Sequence, residues 1–203
     1  MDRFWLKNYP PGVPSDVDVD QYRSLVALMA DGFAKHASRD AYAFMDRHFT
    51  FADIDRHSAA FGAWLQGLGL ARGARVAIMM PNVVQYPIAL AGVLRAGYVV
   101  VNVNPLYTPR ELEHQLKDSG AEAIVILENF AATLQQVIAK TSVKHVVVAS
   151  IGDLLGFPKG AIVNFALRKV KKMIPAYSLP GHVRFNDALD AGARGKLAAV
   201  EVG

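Results

Sequence analysis

The residues best placed for ligand chemistry stand where two predicted strands end. Asn82 follows the apolar run Arg75–Met80, and Asn104 and Tyr107 follow the apolar run Val99–Val103. Open α/β sheets bind ligands at the carboxyl ends of their strands. Asn82, Asn104 and Tyr107 are therefore the candidates for contact with a ligand or a neighbouring subdomain. Residue types and spacing alone favour the alternative, in which they serve only as turn and cap residues.

A second candidate surface is a basic segment late in the sequence. Residues 155–184 contain six basic and no acidic side chains, whereas the net charge of the whole chain is only +4. A helix predicted over 161–174 has an apolar stripe and an opposite face that carries Arg168, Lys171 and Lys172. Such a helix can lie on an anionic membrane surface. The alternative is a helix packed on the core with a solvated basic face.

Several kinds of chemistry are excluded or lack their residues. The chain has no cysteine, which excludes a disulfide scaffold, a thiolate nucleophile and a cysteine-based zinc site. Its six histidines form no pair with metal-ligand spacing, and there is no GxSxG motif. The glycines of 67–73 follow a helix and precede a strand, which favours a turn over a dinucleotide fingerprint. Residues 156–160 are expected to form a surface loop. We therefore predict no catalytic residue, no cofactor-binding residue and no metal site within these 203 residues.

The elements that position the strand-end residues alternate along the chain. Strands that are apolar on both faces and alternate with amphipathic helices indicate a parallel sheet covered on both sides. The predicted fold class is α/β, a mostly parallel sheet with helices on both faces. The expected strands are Arg75–Met80, Val99–Val103, Ala123–Leu127 and His145–Ala149, and the expected helices between them are Val83–Ala96, Thr108–Asp118 and Ala131–Lys140.

The chain divides into three regions by composition. Residues 1–22 form a Pro-rich lead-in, 23–150 an α/β core, and 151–203 a basic helix with a connecting segment. No signal peptide and no apolar run long enough to span a membrane is visible, and the basic residues are too localised to indicate nucleic-acid binding. The predicted location is the cytoplasm.

Three stretches in the expected order resemble the adenylate-forming acyl-CoA synthetases. They are TFADIDR at 50–56, GARVAIMMPN at 73–82 and AGYVVVNVNPLYTPREL at 96–112. The lead-in WLKNYPPGVP and the segment KGAIVNF at 159–165 are similar to bacterial long-chain fatty-acid–CoA ligases in particular. The resemblance covers essentially the whole chain and implies the N-terminal subdomain of the adenylate-forming fold.

The resemblance also implies an activity and its partners. Such enzymes use ATP and Mg²⁺ to convert a fatty carboxylate into an acyl-adenylate, and coenzyme A then displaces AMP. Their phosphate-binding loop, acyl-pocket segment and catalytic lysine are absent from these 203 residues. We therefore expect an inactive N-terminal fragment whose partners are a long-chain fatty acid and the rest of its own chain, namely a second α/β subdomain and a small C-terminal domain. Association with the inner membrane through an anionic lipid surface, and a homodimer, are further expectations.

Two alternatives remain open on the sequence. One is a different adenylate-forming enzyme, such as an aryl–CoA ligase or an adenylation domain. The other is a non-catalytic lipid-surface binding module that uses the same fold. The downstream segments that would separate these alternatives are not in the sequence.

Overall fold

A five-stranded parallel sheet forms the centre of the molecule, as a computed structural model of the chain describes it for residues 2–201. The strand order is β4-β3-β5-β6-β7, and a separate antiparallel pair, β1-β2, lies outside this sheet. The predicted α/β class with a mostly parallel sheet is confirmed. The strands are β1 (Asp40–Phe44), β2 (Arg47–Thr50), β3 (Arg75–Met79), β4 (Val99–Asn102), β5 (Ala123–Leu127), β6 (His145–Ala149) and β7 (Val183–Arg184).

Helices cover both faces of the sheet because the side chains of each central strand alternate between two apolar cores. Val76 and Ile78 of β3 belong to one core, whereas Ala77 and Met79 belong to the other. Residues of α2, α3 and α7 complete the first core, and residues of α4 and α5 complete the second. The helices are α1 (Leu25–Lys35), α2 (Phe51–Gln66), α3 (Gln85–Arg95), α4 (Pro109–Ser119), α5 (Ala131–Gln135), α6 (Lys159–Phe165) and α7 (Phe185–Gly192).

Two of these helices begin with reciprocal side-chain caps. The Thr108 hydroxyl accepts a hydrogen bond from the backbone N–H of Glu111, whose carboxylate accepts one from the backbone N–H of Thr108. Pro109 occupies the first turn, where its missing N–H costs nothing. Thr50 and Asp53 cap α2 in the same way. The helix start predicted at Thr108 is therefore confirmed.

The second half of the chain departs from the predicted elements. The helix expected over 131–140 is split into α5 and a 3₁₀ turn, Ile138–Lys140. The basic helix expected over 161–174 begins at Lys159 and ends in a π-helical turn, Ala166–Val170, after which Lys172 has a φ of 49°. Strand β7 was not predicted, because two residues carry no periodicity. Among the described residues 2–201, no helix is both long enough and apolar enough to cross a membrane.

Candidate functional site

The carboxyl edge of the sheet is where the strand connections change direction. The chain leaves β3 toward β4 on one side, and it leaves β5 toward β6 on the other. The carboxyl ends of β3 and β5 therefore flank a switch point, the place where open α/β sheets bind ligands. Pro81 and Asn82 follow β3 at this point, and Glu128 follows β5. This edge is the candidate functional site.

Buried polar side chains gather at the same edge. Three of the four buried polar side chains in residues 2–201 are Gln85, Glu128 and Ser150, which follow β3, β5 and β6. The Gln85 amide donates a hydrogen bond to the backbone carbonyl of Ser150 over 2.8 Å. Polar groups are costly to bury without partners. Their accumulation at one edge of the sheet therefore marks it as built for polar contacts.

An ion pair joins this edge to the basic segment. The Arg168 guanidinium donates to one carboxylate oxygen of Glu128 from Nε and Nη2 over 3.0 and 2.7 Å, and from Nη2 to the Ser150 hydroxyl over 2.9 Å. Glu128 is 1% exposed, so the pair is largely shielded on the acid's side. The other oxygen of Glu128, Oε1, has no hydrogen-bond partner in the described protein.

Asp153 completes this polar cluster, which we define as Gln85, Glu128, Ser150, Asp153 and Arg168. Its carboxylate accepts a 2.7 Å hydrogen bond from the backbone N–H of Ser150. Burial raises the pKa of Asp153 to about 6, and the neighbouring Glu128 carboxylate acts in the same direction. The hydrogen bond from Ser150 lowers this pKa, and Arg168 and Arg184 lower it further, but together they do not overcome the effect of burial.

A cavity of about 670 Å³ opens beside the polar cluster. Its lining is polar and of mixed charge, and it includes Tyr177, His182, Arg184, Asn186 and Asp187 beside members of the cluster. The Oδ1 atom of Asn186 is buried without a hydrogen-bond partner. The arrangement can therefore accept hydrogen bonds from a ligand or from a neighbouring segment.

The three strand-end residues predicted from the sequence lie in different surroundings. Asn82 is exposed and lines an apolar groove beside α3. The Asn104 side chain accepts a hydrogen bond from the backbone N–H of Leu106, so it stabilises a turn. Tyr107 lines a shallow depression on α4. Asn104 therefore stabilises a turn, and a contact with a ligand or a neighbouring subdomain stays a prediction for all three residues.

The basic amphipathic segment, residues 159–174, leaves part of its apolar stripe exposed. Ile162 is 62% exposed and Val170 is 67% exposed, and Phe165 and Met173 are exposed as well, whereas Ala166 and Ile174 are half-buried. The alternative in which the whole stripe packs on the core is therefore wrong for Ile162, Val170 and Met173. Lys171 and Lys172 are exposed, as expected for a surface face, whereas Arg168 turns part of its side chain inward to Glu128.

The apolar groove beside Asn82 has a volume of about 720 Å³. We call it the α1 groove. It is bounded by α1, β1 and the first turns of α3, and its lining is almost entirely apolar: Leu28, Met29, Gly32, Phe33, Ala41, Tyr42, Ala43, Phe44, Phe51, Ile54, Asn82, Val83, Val84, Tyr86, Pro87, Leu90 and Ala91.

Glu128 and Asp153 were not identified from the sequence. Asp153 precedes the loop predicted at 156–160 and carries no motif, but the structure buries most of it beside Ser150. One signal was available for Glu128, because a carboxylate that directly follows a five-residue apolar strand must lie at the carboxyl edge of the sheet. Its partner Arg168 lies 40 residues away, and no spacing rule connects the two.

The chemistry of the described residues is that of binding and positioning. Within residues 2–201, no group of three or more His, Asp or Glu side chains comes together that could hold a metal ion. The polar cluster can hold an ion pair and orient a loop.

Comparison with known proteins defines the family. Residues 30–188, more than half of the chain, match the AMP-binding enzyme family. The chain belongs to that family. It is 50% identical over all 203 residues to the long-chain-fatty-acid–CoA ligase of Salmonella typhimurium, and 52% identical over 195 residues to that of Yersinia pestis. The matches cover 100% and 96% of this chain but only 36% and 35% of those relatives, so the chain spans about a third of their length.

Solved structures of CoA ligases share the fold. A long-chain-fatty-acid-CoA ligase from Archaeoglobus fulgidus aligns with a TM-score of 0.63 at 19% identity, covering 87% of this chain and 32% of that one. A benzoate CoA ligase from Burkholderia xenovorans aligns with a TM-score of 0.66 at 21% identity, covering 88% and 30%. At these identities the likeness establishes the fold alone, and it confirms the predicted adenylate-forming architecture.

Proposed function

We propose that the chain is the N-terminal third of an AMP-forming long-chain fatty-acid–CoA ligase. The observation that carries the proposal is 50% identity over the full length of the chain to such a ligase. Similarity to aryl-CoA ligases is weaker, at 32% identity over 132 residues for a rice protein named as 4-coumarate–CoA ligase-like. The long-chain substrate is therefore favoured over an aryl acid.

The proposed reaction has two steps. A carboxylate oxygen of the fatty acid attacks the α-phosphorus of ATP, forming acyl-adenylate and releasing pyrophosphate. The sulfur of coenzyme A then attacks the acyl carbon, the C–O bond to AMP breaks, and the thiol proton is lost. The family implies ATP, coenzyme A and Mg²⁺ for these steps. The 203 residues would contribute the five-stranded sheet and its carboxyl edge, against which the remaining subdomains pack, and would be inactive alone.

The test compares two proteins. One is the 203-residue chain, and the other is the same chain joined to the two thirds of the S. typhimurium ligase that it does not match. We expect palmitate-dependent pyrophosphate release and thioester formation from the joined chain and none from the 203 residues. Thioester formation by the 203 residues alone would contradict the proposed inactivity. A folded joined chain that forms no thioester with palmitate would contradict the proposed function.

A second proposal concerns an anionic lipid surface, at the inner face of the bacterial membrane. We infer that the basic amphipathic segment contacts it. Exposed Ile162, Phe165, Val170 and Met173 supply apolar side chains, and no acidic residue lies between residues 155 and 184 to repel the lipid. The positive charge comes from Lys169, Lys171 and Lys172. The charge of Arg168 is largely neutralised by its ion pair with Glu128. Under this proposal the enzyme works in the cytoplasm and meets its fatty acid at the membrane.

Charge reversal separates this lipid role from a merely solvated surface. The triple variant Lys169→Glu, Lys171→Glu, Lys172→Glu should bind phosphatidylglycerol vesicles about a hundredfold more weakly. The reason is that each lysine near such a surface contributes about 1 kcal/mol to binding. Lys7→Glu with Lys196→Glu, at exposed positions elsewhere, is the control and should reduce binding far less. Equal losses in both variants would show a general charge effect and would contradict the proposed surface. If the natural gene product has a mass of only 22.0 kDa and binds these vesicles, the alternative of a non-catalytic lipid-surface binding module is favoured over the enzyme.

A further inference from the structure

The cavity of about 670 Å³ beside the polar cluster lies at the carboxyl ends of three adjacent parallel strands. We call it the polar cavity. Its lining includes Glu128 after β5, Ser150 and Asp153 after β6, and Asn186 and Asp187 after β7. Open α/β sheets bind ligands at this edge. The polar cavity is therefore placed to bind a ligand, and the proposed two-step reaction gives it no role.

One wall of the polar cavity contains a π-helical turn. The backbone N–H of Lys171 donates to the carbonyl of Ala166, five residues earlier, over 2.8 Å. Arg168 and Lys169 lie inside this turn, and both line the polar cavity. Helical turns of this type are rare, and they occur frequently at functional sites. The turn therefore points to the same place as the strand ends do, on independent grounds.

Two contacts hold this wall in place. The side-chain oxygen of Asn164, a lining residue, accepts a 2.7 Å hydrogen bond from the backbone N–H of Gly152. A Cβ at Gly152 would lie 2.3 Å from the carbonyl oxygen of Gly160, so glycine is needed for this close approach. The wall is therefore fixed before a ligand binds, and such preorganisation favours binding.

The buried side of the polar cavity offers acceptors that the described residues 2–201 leave without donors. Glu128 is 1% exposed, and its Oε1 atom has no hydrogen-bond partner, because Arg168 donates to Oε2 only. The Oδ1 atom of Asn186 is also buried and unpartnered. A buried acceptor without a donor is costly. These two atoms therefore favour a ligand that supplies N–H or O–H donors.

The charge on the buried side favours a cationic donor over a neutral one. Two carboxylates, those of Glu128 and Asp153, face one guanidinium there, that of Arg168. Burial raises the pKa of Asp153 to about 6, so Asp153 is ionised at pH 7.5. One negative charge then remains uncompensated, and a primary ammonium group supplies both a positive charge and three N–H donors.

The exposed side of the polar cavity has the opposite charge. Lys169 and Arg184 are exposed lining residues, and Asp187, which is also exposed, offsets one of their two positive charges. An anionic group that binds here remains next to water, so little of its hydration is lost. The volume of about 670 Å³ is that of a small-molecule site. The polar cavity therefore combines a negative buried side with a positive exposed side.

We propose that the polar cavity binds a small zwitterion, with a primary ammonium group on the buried side and an anionic group on the exposed side. The ammonium group donates to Glu128 and Asn186, and the anionic group pairs with Lys169 and Arg184. Ethanolamine phosphate has this chemistry, both as a free molecule and as the headgroup of a phospholipid. The inference goes beyond the proposed function and does not depend on it.

The first experiment titrates three probes into the joined chain that tests the proposed function. The probes are ethanolamine phosphate, ethanolamine and inorganic phosphate, at pH 7.5, and ligand-observed NMR gives their dissociation constants. Ethanolamine phosphate should bind about tenfold or more tightly than either of the other two, because each of those contacts one side of the polar cavity only. Absence of ethanolamine phosphate binding, or equal binding of either half, overturns the proposal.

Matched lysine variants test the exposed side. Lys169 and Lys171 are both exposed lysines of the basic amphipathic segment, but Lys169 lines the polar cavity and Lys171 does not. Lys169→Gln should weaken binding of ethanolamine phosphate about fivefold and leave binding of ethanolamine unchanged, since an exposed ion pair contributes at most about that much. Lys171→Gln should change neither. Equal losses in the two variants overturn the proposal.

Variants of Asn186 test the buried side with opposite signs. Asn186→Leu removes the acceptor and should weaken binding of both ethanolamine and ethanolamine phosphate about tenfold. Asn186→Asp keeps an acceptor, adds a negative charge and should strengthen both. Asn186 is half-buried and its Oδ1 atom has no hydrogen-bond partner in residues 2–201, so neither variant breaks a described contact of that atom. Thermal unfolding checks that both variants are folded. Equal weakening in both variants overturns the proposal.

Vesicles distinguish a free zwitterion from a lipid headgroup. The joined chain is mixed with vesicles of phosphatidylethanolamine or of phosphatidylcholine, each with the same fraction of phosphatidylglycerol. The choline headgroup has no N–H donor, so a lipid source predicts about tenfold tighter binding to the ethanolamine vesicles, and Asn186→Leu should abolish that preference. Equal binding to both vesicles, together with binding of soluble ethanolamine phosphate, supports a free zwitterion. Binding of ethanolamine phosphate in neither form overturns the proposal.

Discussion

The ion pair between Glu128 and Arg168 is the feature at residue scale with the clearest energetic consequence. Glu128 is buried and Arg168 is about half exposed, so removal of the arginine leaves a buried carboxylate unpaired. Breaking a buried pair from one side costs about 3 kcal/mol or more. Arg168→Met should therefore lower the free energy of unfolding by about that amount in urea titrations.

The double variant Arg168→Met with Glu128→Gln is the matched control, because it removes both charges and keeps their approximate volumes. It should be closer to the wild type than Arg168→Met alone. Glu128→Gln alone is measured as well. If the loss of stability in the double variant equals the sum of the losses in Arg168→Met and Glu128→Gln, the two side chains are not coupled, and each stabilises the fold through packing.

Asp153 predicts a pH dependence of stability. Burial raises its pKa from 3.8 to about 6 in the folded chain, next to Glu128, Arg168 and Arg184. The folded state therefore holds the proton more tightly than the unfolded state. This stabilisation is complete below about pH 4 and is lost as the pH rises through 6.

Asp153→Asn should remove that loss while its side-chain oxygen still accepts the hydrogen bond from Ser150. Relative to wild type, the variant should gain stability between pH 4.5 and pH 7.5, on the order of 2 kcal/mol. Urea unfolding of both proteins at the two pH values measures the difference. A difference that does not change with pH would assign the titration to another group.

At the scale of elements, α2, α3 and α7 pack closely because glycines stand at their contacts. A Cβ at Gly192 of α7 would lie 1.8 Å from the backbone oxygen of Ala60 in α2, so the helices would have to separate. Gly192→Ala should destabilise the chain by about 1–3 kcal/mol, as overpacking does.

Gly32→Ala is the control for this element prediction, since it makes the same chemical change in a helix with open space around the new methyl group. It should be neutral or stabilising by about 0.5–1 kcal/mol, because alanine favours the helix. Thermal denaturation of the two variants in parallel gives the comparison. A larger loss at Gly32 than at Gly192 would contradict the described helix packing.

At the scale of the whole molecule, the charge distribution is uneven. Residues 155–184 carry six positive charges and no negative one within a chain of net charge +4. Attraction of such a patch to anionic vesicles should weaken steeply when NaCl rises from about 0.1 M to about 1 M, as the Debye length falls from about 10 to 3 Å. Vesicle sedimentation measures this. Binding that is unchanged at high salt would indicate that Ile162, Phe165, Val170 and Met173 act without help from the lysines.

The sequence by itself determined the α/β class, the strands β3 to β6 and the capped start of α4. Each of these depends on local information: a continuous apolar run, a helical period, or the spacing of Thr108 and Glu111. The family also followed from local motifs, because TFADIDR and GARVAIMMPN are contiguous. The sequence also predicted that Lys171 and Lys172 are exposed, because the helical period places them on the face opposite the apolar stripe.

Only the tertiary structure decided which distant residues meet. The pairing of Glu128 with Arg168, the burial of Asp153, strand β7 and the α1 groove all depend on contacts between segments far apart in the chain. Spacing rules act over a few residues, whereas these contacts depend on strand order and on which helix covers which face. The exposure of Ile162, Val170 and Met173 has the same origin, since the sequence pattern shows that an apolar stripe exists but not which parts of it another element covers.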